Sequence, residues 1–328
     1  MNFSFRSGLI AVAYSGGADS TALLLMLVRQ HPGRVLAIHI HHGLQAAADD
    51  FASHCTAFCA ALNVPLHVVY VDARARPGQS PEDAARQQRY TALVDKVLEL
   101  NTAFAFASLE HLAIKSVAVA QHADDQVETL LLALSRGAGL PGLSAMPAAR
   151  WRNGLEFVRP LLHMRASGIR EWLACHGLYA RHPGSGTLGQ GWVEDPTNTD
   201  IGFTRNRIRH GLMPALETTF PQFRQTFARS AQHAAEAQRL LVEIAVQDLA
   251  SAGGDALRIK SLQGMSAPRQ GNLLRYWLKS AHDVSPSAAQ LKELQKQIAH
   301  CTDRGKRIHI RVAAGFVRRQ CEVLEYLP

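Results

Sequence analysis

With 328 residues, 47% of them hydrophobic and 19% charged, the chain has room for two buried cores and too much apolar content for a disordered or low-complexity polymer. Its five cysteines (Cys55, Cys59, Cys175, Cys301 and Cys321) are odd in number and form no Cys-x-x-Cys pair, which argues against a disulfide framework and against zinc, iron–sulfur and dithiol chemistry. Net charge is +8, but residues 1–200 carry 16 Lys and Arg against 17 Asp and Glu while residues 201–328 carry 19 against 10, so the second part is fit to meet a polyanion such as nucleic acid, or else to stay soluble.

The apolar run at residues 9–13 is five residues long, short of the ~7–15 of a secretory leader, and nothing approaches the ~18 of a membrane span. A soluble, cytoplasmic protein is expected. Strands are predicted at residues 9–14, 35–40, 66–71 and 116–121, and helices at 19–29, 49–62 and 81–100. The strands lack polar alternation, as they do when helices cover both faces of a parallel sheet. The predicted fold is α/β, a doubly wound and mostly parallel sheet, followed by a smaller, mainly helical α+β domain. The boundary is placed at residues 215/216, and a long connecting helix at 222–250 opens the second domain. Residues 182–199, rich in Gly, Pro, Thr and Asn, read as a loop. Beyond 255 come a short strand, helices at 267–281 and 287–300, and a final pair of strands in which Arg307-Ile-His-Ile-Arg-Val alternates cationic and buried faces.

A doubly wound sheet binds ligands at the carboxyl ends of its strands. The first such place is Ser15-Gly16-Gly17-Ala18-Asp19-Ser20, set between a strand and a Leu-rich helix. Two glycines let backbone approach a phosphate, opening helix amides attract an anion, and Ser15 and Ser20 add hydroxyl donors. Asp19 would repel phosphate unless it holds a Mg²⁺ that bridges carboxylate and pyrophosphate. An ordinary turn and helix cap is the bland alternative for the tetrapeptide alone. The loop lacks the Lys and spacing of a Walker A motif. His39 follows on the second strand. The second place is His122-Ala-Asp124-Asp125-Gln-Val-Glu128, where Asp124 and Glu128 are four apart and share a helix face. Helix capping accounts for one of these acids but not for all three. Arg86 lies on a helix that also carries Glu82, Asp83, Arg89 and Tyr90 and could be a plain solvated face.

The loop resembles the signature of the PP-loop ATP pyrophosphatases, whose fold is adenine nucleotide alpha hydrolase-like. Together with His41-His42-Gly43-Leu44, Ala84-Ala85-Arg86, Arg89-Tyr90, Arg136-Gly137-Ala138-Gly139, Arg159-Pro160-Leu161-Leu162, Glu194-Asp195-Pro196-Thr197-Asn198 and Arg205-Asn206-Arg207-Ile208-Arg209, the pattern over residues 9–215 resembles the tRNA(Ile)-lysidine synthetases. It departs at Gln45, where Arg is common, at Gln121, where a second His is common, and at a small insertion over residues 101–112.

The resemblance implies that O2 of the wobble cytidine in a tRNA(Ile) with a CAU anticodon attacks the α-phosphate of ATP. Free L-lysine then displaces AMP at C2. It implies ATP bound by Ser15, Gly16, Gly17, Ala18, Asp19, Ser20 and His39, and Mg²⁺ on Asp19. Arg86 or Arg205 would stabilise the pyrophosphate. Asp124 is the first choice to take the lysine proton, ahead of Asp125 and Glu128. Those two carboxylates, with Arg205, Asn206 and Arg209, are assigned to lysine and tRNA, the bland alternative being that the arginines simply cap and solvate a helix start. Assembly as a homodimer is left open. Three rivals stand beside this reading: a tRNA thiolase, which needs a well-placed cysteine; a small-molecule amide ligase, which has no use for the basic second part; and a non-catalytic tRNA binder, which gains nothing from the carboxylates.

Overall fold

The computed structural model describes residues 5–41, 48–71, 81–182, 189–301 and 307–328. His42, Gly43, Leu44 and Gln45, and the side chains of Glu82 and Asp83, lie outside the described residues. The chain forms two compact units, Met1–Ala231 and Gln232–Pro328.

The first unit begins β1 (Ile10–Ala13), α1 (Ala18–Gln30), β2 (Val35–His41), α2 (Ala48–Ala61), β3 (Leu66–Tyr70), α3 (Pro81–Phe106), β4 (Ser116–Ala118) and α4 (Ala123–Ser135). It continues with α5 (Leu140–Leu143), β5 (Ala149–Arg152), β6 (Leu155–Val158), α6 (Ala166–Ala174), β7 (Ala180–Arg181) and β8 (Trp192–Val193). After β8 come α7 (Thr204–Arg207), a π-helical turn at Ile208–Leu212 and α8 (Met213–Thr219); α9 (Phe223–Ala252) then starts in this unit. The main sheet has the order β3-β2-β1-β4-β6-β5, parallel except for β5.

The continuous apolar strands are explained by burial on both faces. Ile10 and Val12 join Val35, Ala37 and Ala118 in a core with Leu23, Leu24 and Leu27 of α1. Ala11, Leu36, Ile38 and Val117 point the other way, into Leu93, Val94 and Val97 of α3. Each of the larger of these side chains contributes about 1.5–3 kcal/mol of burial, and a one-residue slip would exchange the two faces and misfit both cores at once.

Three segments differ from their sequence reading. Residues 149–158, for which the sequence reading gave no strand, form the β5–β6 hairpin through Asn153-Gly154, both at positive φ (49° and 77°). Asn-Gly is the pair such a turn selects, so the signal was present. Residues 101–112 extend α3 and end in a short turn, with Asn101 exchanging hydrogen bonds with Ile114 at 2.7 and 2.9 Å. The segment at 182–199, read as a loop, contains β8, which pairs in parallel with β7 just before it.

The second unit contains most of α9, then β9 (Leu257–Arg258), α10 (Ile259–Gln263), α11 (Ala267–His282), α12 (Ala288–Ala299), β10 (His309–Val312), β11 (Gly315–Gln320) and β12 (Val323–Leu327). Three terminal strands, one more than the sequence suggests, form with β9 an antiparallel sheet ordered β10-β11-β12-β9. Trp277, Leu274, Leu294, Val312 and Leu324 fill its core. In β10, Ile310 and Val312 are buried and His309 and Arg311 exposed, as the alternation predicts. The unit division falls within α9, and Phe223 at the start of that helix packs on Val127 and Met213 in the first unit.

Candidate active site

The strand order reverses at β1, because β2 and β3 lie on one side and β4 and β6 on the other. Ligands of doubly wound sheets occupy the crevice at such a switch point. The two segments that leave it are the loop after β1 and the turn after β4.

Ser15 to Ala18 turn the chain from β1 into α1. Gly16 has φ +84°, and a Cβ there would sit 3.0 Å from Cys55 Sγ, so both conformation and space call for glycine. Ser20 Oγ accepts the Ser15 amide at 3.2 Å and donates to the Gly17 carbonyl at 3.1 Å, which makes the Ser15 hydroxyl the donor in their 3.0 Å contact. No side chain caps α1 at Gly17, leaving its opening amides available to an anion. The loop is held from below and from the side. Buried His39 donates Nδ1–H to the Tyr14 carbonyl at 2.9 Å, and the Val193 amide donates to the Gly16 carbonyl at 2.9 Å. His39 therefore supports the loop from beneath. Burial holds its pKa below the ordinary histidine value, against the Tyr14 hydrogen bond.

Across the crevice, α4 starts at His122, which is 3% exposed. Its Nε2 lies 3.4 Å from Asp19 Oδ2 and 3.5 Å from Asp125 Oδ2, and its Nδ1 3.7 Å from Asp124 Oδ2. Burial disfavours the imidazolium, but the Asp19 hydrogen bond and the charges of Asp125, Asp19 and Asp124 outweigh it and raise the pKa to about 9. Asp125 also caps the helix, accepting the His122 amide at 3.0 Å.

The three α4 carboxylates differ in environment. Asp124 Oδ1 is 2.5 Å from Arg224 Nε, and Oδ2 accepts the Ala166 amide at 2.7 Å. Burial raises its pKa, but the amide, Arg224 and His122 together bring it below the ordinary carboxylate value. A carboxylate so held is a weak proton acceptor. Glu128, fully buried, is met by Arg209 at 2.8 Å and Arg205 at 3.5 Å, yet its pKa stays raised because burial dominates. Asp125 lies 3.5 Å from Arg209.

Arg205 and Arg209 are thus brought to the acidic cluster, Arg209 from the π-helical turn. Asn206 is buried, and its amide donates at 2.8 Å to both Thr197 and Asp200 carbonyls, which holds the turn at Pro196–Thr199. Both N–H groups are therefore spent on the protein. Arg86 is set 5.7 Å over the Tyr90 ring, and among the described contacts none joins it to the loop or to α4. Arg224 and Glu217 were missed from the sequence, and Arg159 was named there only within a motif, without a role. Arg224 bridges Asp124 and Glu217, and buried Arg159 donates to Gln121 Oε1 and to the Pro147 carbonyl. The departure at Gln121 thus places a neutral acceptor beside a buried guanidinium.

Residues 2–216 match the PP-loop domain family and residues 257–323 the TilS substrate binding domain. The tRNA(Ile)-lysidine synthase of Polaromonas naphthalenivorans is 55% identical over 94% of this chain and 87% of its own length. The chain belongs to the tRNA(Ile)-lysidine synthase family. The family member from Burkholderia pseudomallei is 40% identical over 90% of this chain, which spans 56% of that protein's length. Among solved structures, the U34-tRNA thiolase of Methanococcus maripaludis aligns with a TM-score of 0.51 at 14% identity, over 70% of this chain and 72% of that one, a likeness of fold. The family thus provides the PP-loop ATP pyrophosphatase fold that the sequence reading described. Among the described residues no helix is long and apolar enough to cross a membrane.

Proposed function

We propose that the chain ligates L-lysine to C2 of the wobble cytidine of a tRNA(Ile) with a CAU anticodon, at the expense of ATP, with residues up to about 215 as the catalytic domain and the basic remainder as a tRNA-binding domain in the cytoplasm. The observation that carries this reading is the facing of an anion-binding loop and a carboxylate cluster across one switch-point crevice, bridged by His122. Such a site takes a nucleotide's phosphates on one wall and an ammonium on the other.

In the first step cytosine O2 forms a bond to the α-phosphorus and the bond to pyrophosphate breaks. The amides opening α1 receive the phosphate oxygens, joined by the Ser15 and Ser20 hydroxyls once these turn from Ser20 Oγ and the Gly17 carbonyl, and the imidazolium of His122 adds positive charge. Asp19 Oδ1 is buried without a hydrogen-bond partner, an orphaned acceptor that fits a hard cation. Mg²⁺ is commonly held by one carboxylate, phosphate oxygens and water. When bound to Asp19, Mg²⁺ would neutralise charge on the departing pyrophosphate.

In the second step the lysine ε-nitrogen attacks C2, loses a proton, and the C2–O bond to AMP breaks. The lysine ammonium, with a reference pKa of about 10.4, must shed one proton before the attack, and the proton lost after it is a second one. The raised pKa of Glu128 suits it to take the proton, Asp125 lies beside it within 3.5 Å of His122 and Arg209, where it can meet the ammonium, and the lowered pKa of Asp124 leaves it to orient α4. Cys55 and Cys59 do not suit a thiolase, since both thiols are buried and Cys59 is pushed up to about 12 by burial.

The test is incorporation of labelled lysine into a CAU-anticodon tRNA(Ile) by the full chain with ATP and Mg²⁺. Incorporation that depends on ATP and releases pyrophosphate is expected. Pyrophosphate release with no lysine incorporated would keep the loop assignment and reject the nucleophile.

A further inference from the structure

On the α3 side of the β5–β6 hairpin, guanidinium groups gather round one tyrosine. Arg86 Cζ lies 5.7 Å and Arg152 Cζ 5.4 Å from the Tyr90 ring centroid, and that ring packs on Phe157 at 5.3 Å. Phe157 is in register with Arg150, so Arg150 and Arg152 share the face that Tyr90 covers. Buried Arg159 completes the group. Its pKa is held below the ordinary arginine value by burial and by the charges of Arg86 and Arg150, against the charge of Tyr90 and the hydrogen bond that Arg159 donates to it. Among the described residues no carboxylate pairs with Arg86, Arg150 or Arg152. The nearby Glu156 is opposite Trp151 in the ladder, on the other face, and lies 3.8 Å from Arg6.

Like charges collected with no counter-charge among the described residues favour an external anion. Arg150 and Arg152 are two residues apart on an exposed edge strand, about 6.8 Å along it. That separation is comparable with the step between neighbouring phosphates of a nucleic-acid strand. Half-exposed Trp151 lies between them on the opposite face. The cluster is also continuous with the active site, because Arg159 donates to Gln121 and the next residue is His122.

We propose that Arg150 and Arg152, arranged round Tyr90 with Arg86, form a track for the ribose-phosphate backbone of the RNA whose base enters the crevice. The inference rests on the tRNA reading above and adds the surface of the catalytic unit on which the strand lies. Each guanidinium contacts a phosphate, so each contributes a counterion-release increment that carries no sequence information.

The experiment is binding of a CAU-anticodon tRNA(Ile) to the full chain across a salt series. Arg150→Ala and Arg152→Ala are each expected to weaken binding roughly three- to tenfold and to flatten the plot of log K against log salt by about 0.7–0.9. Arg152→Lys should keep the wild-type slope. Turnover at saturating tRNA and the KM for ATP should not change in any of the three. Wild-type affinity and slope in both alanine variants would overturn the proposal, as would loss of the slope in Arg152→Lys. A rise in the KM for ATP with an unchanged slope would assign the cluster to the nucleotide instead. Failure of the wild-type chain to bind any tRNA would reject the tRNA reading itself, a result distinct from variants that bind normally.

Discussion

Arg224 Nε approaches Asp124 Oδ1 to 2.5 Å, joining the start of the long helix α9 to the first turn of α4, 100 residues earlier in the chain. The carboxylate is 7% exposed and the guanidinium 16%. Removing one partner strands a charge in a poorly solvated place. Arg224→Ala is expected to destabilise the protein by about 2–4 kcal/mol, with Asp124→Asn close behind. Thermal unfolding of both single variants and the double variant measures this. A double variant whose loss equals the sum of the single losses would mean that the pair is not coupled.

If Asp124 orients α4 and its neighbours handle the lysine proton, the α4 variants should separate kinetically. Asp125→Asn and Glu128→Gln are expected to slow lysine transfer by about 10²–10⁴-fold while pyrophosphate release in the first step persists. Single-turnover assays with ATP and tRNA resolve the two steps. The greatest loss of lysine transfer in a fully folded Asp124→Asn would restore Asp124 to the base role.

Asp19→Asn keeps the size of the side chain and removes its charge. Pyrophosphate release should fall by at least about 10²-fold, and the Mg²⁺ concentration needed for half-maximal rate should rise. Wild-type dependence on Mg²⁺ in the variant would show that the ion is held elsewhere.

Gly16→Ala places a methyl group 3.0 Å from Cys55 Sγ at a φ of +84°. A loss of about 1–3 kcal/mol is expected from the backbone conformation and the crowding together, with a higher KM for ATP. Adding Cys55→Gly should recover the crowding but not the conformational part, and differential scanning fluorimetry of the pair tests this. Full recovery in the double variant would mean that only space matters at residue 16.

Stability should fall in mild acid because of His54. Its ring is fully buried, with Nδ1 2.8 Å from Arg181 Nη1, a donor that demands a neutral acceptor nitrogen. Burial, then Arg181, lowers its pKa to about 4 from 6.5. Between those values the unfolded chain binds a proton that the folded chain refuses. Folded stability is therefore complete above about pH 6.5 and declines as pH falls towards 4, by up to about 3 kcal/mol. Denaturant unfolding at pH 7 and pH 4.5, with His54→Gln as the non-titrating comparison, measures the difference. An identical decline in the variant would assign the acid sensitivity to other groups.

What could be read from the sequence follows from the range of each signal. The loop at residues 15–20 and the acids of α4 are short-range patterns, in which spacing alone sets a glycine turn or a shared helix face. The apolar strands likewise state their own burial. Arg224 and Arg159 gave no such notice, because their partners Asp124 and Gln121 lie 100 and 38 residues away and nothing in the local spacing names them. Arg205, Asn206 and Arg209 were legible as a cluster but not in orientation. Cations that look free for nucleic acid in one dimension are bound to Glu128 and Asp125 in three, and Asn206 to its own loop. The β5–β6 hairpin was within reach, since its Asn153-Gly154 turn is local.

The hydrogen bond from the Val193 amide to the Gly16 carbonyl sets a schedule for the emerging polypeptide. The phosphate loop is composed within the first twenty residues, but one of its fasteners is added about 175 residues later. At a synthesis rate of about 5–20 residues per second, that leaves roughly ten to thirty-five seconds in which a ribosome-bound chain carries the signature without all the restraints that shape it. Nascent chains arrested shortly before and shortly after residue 193 has left the ribosome should therefore differ in their retention on immobilised ATP.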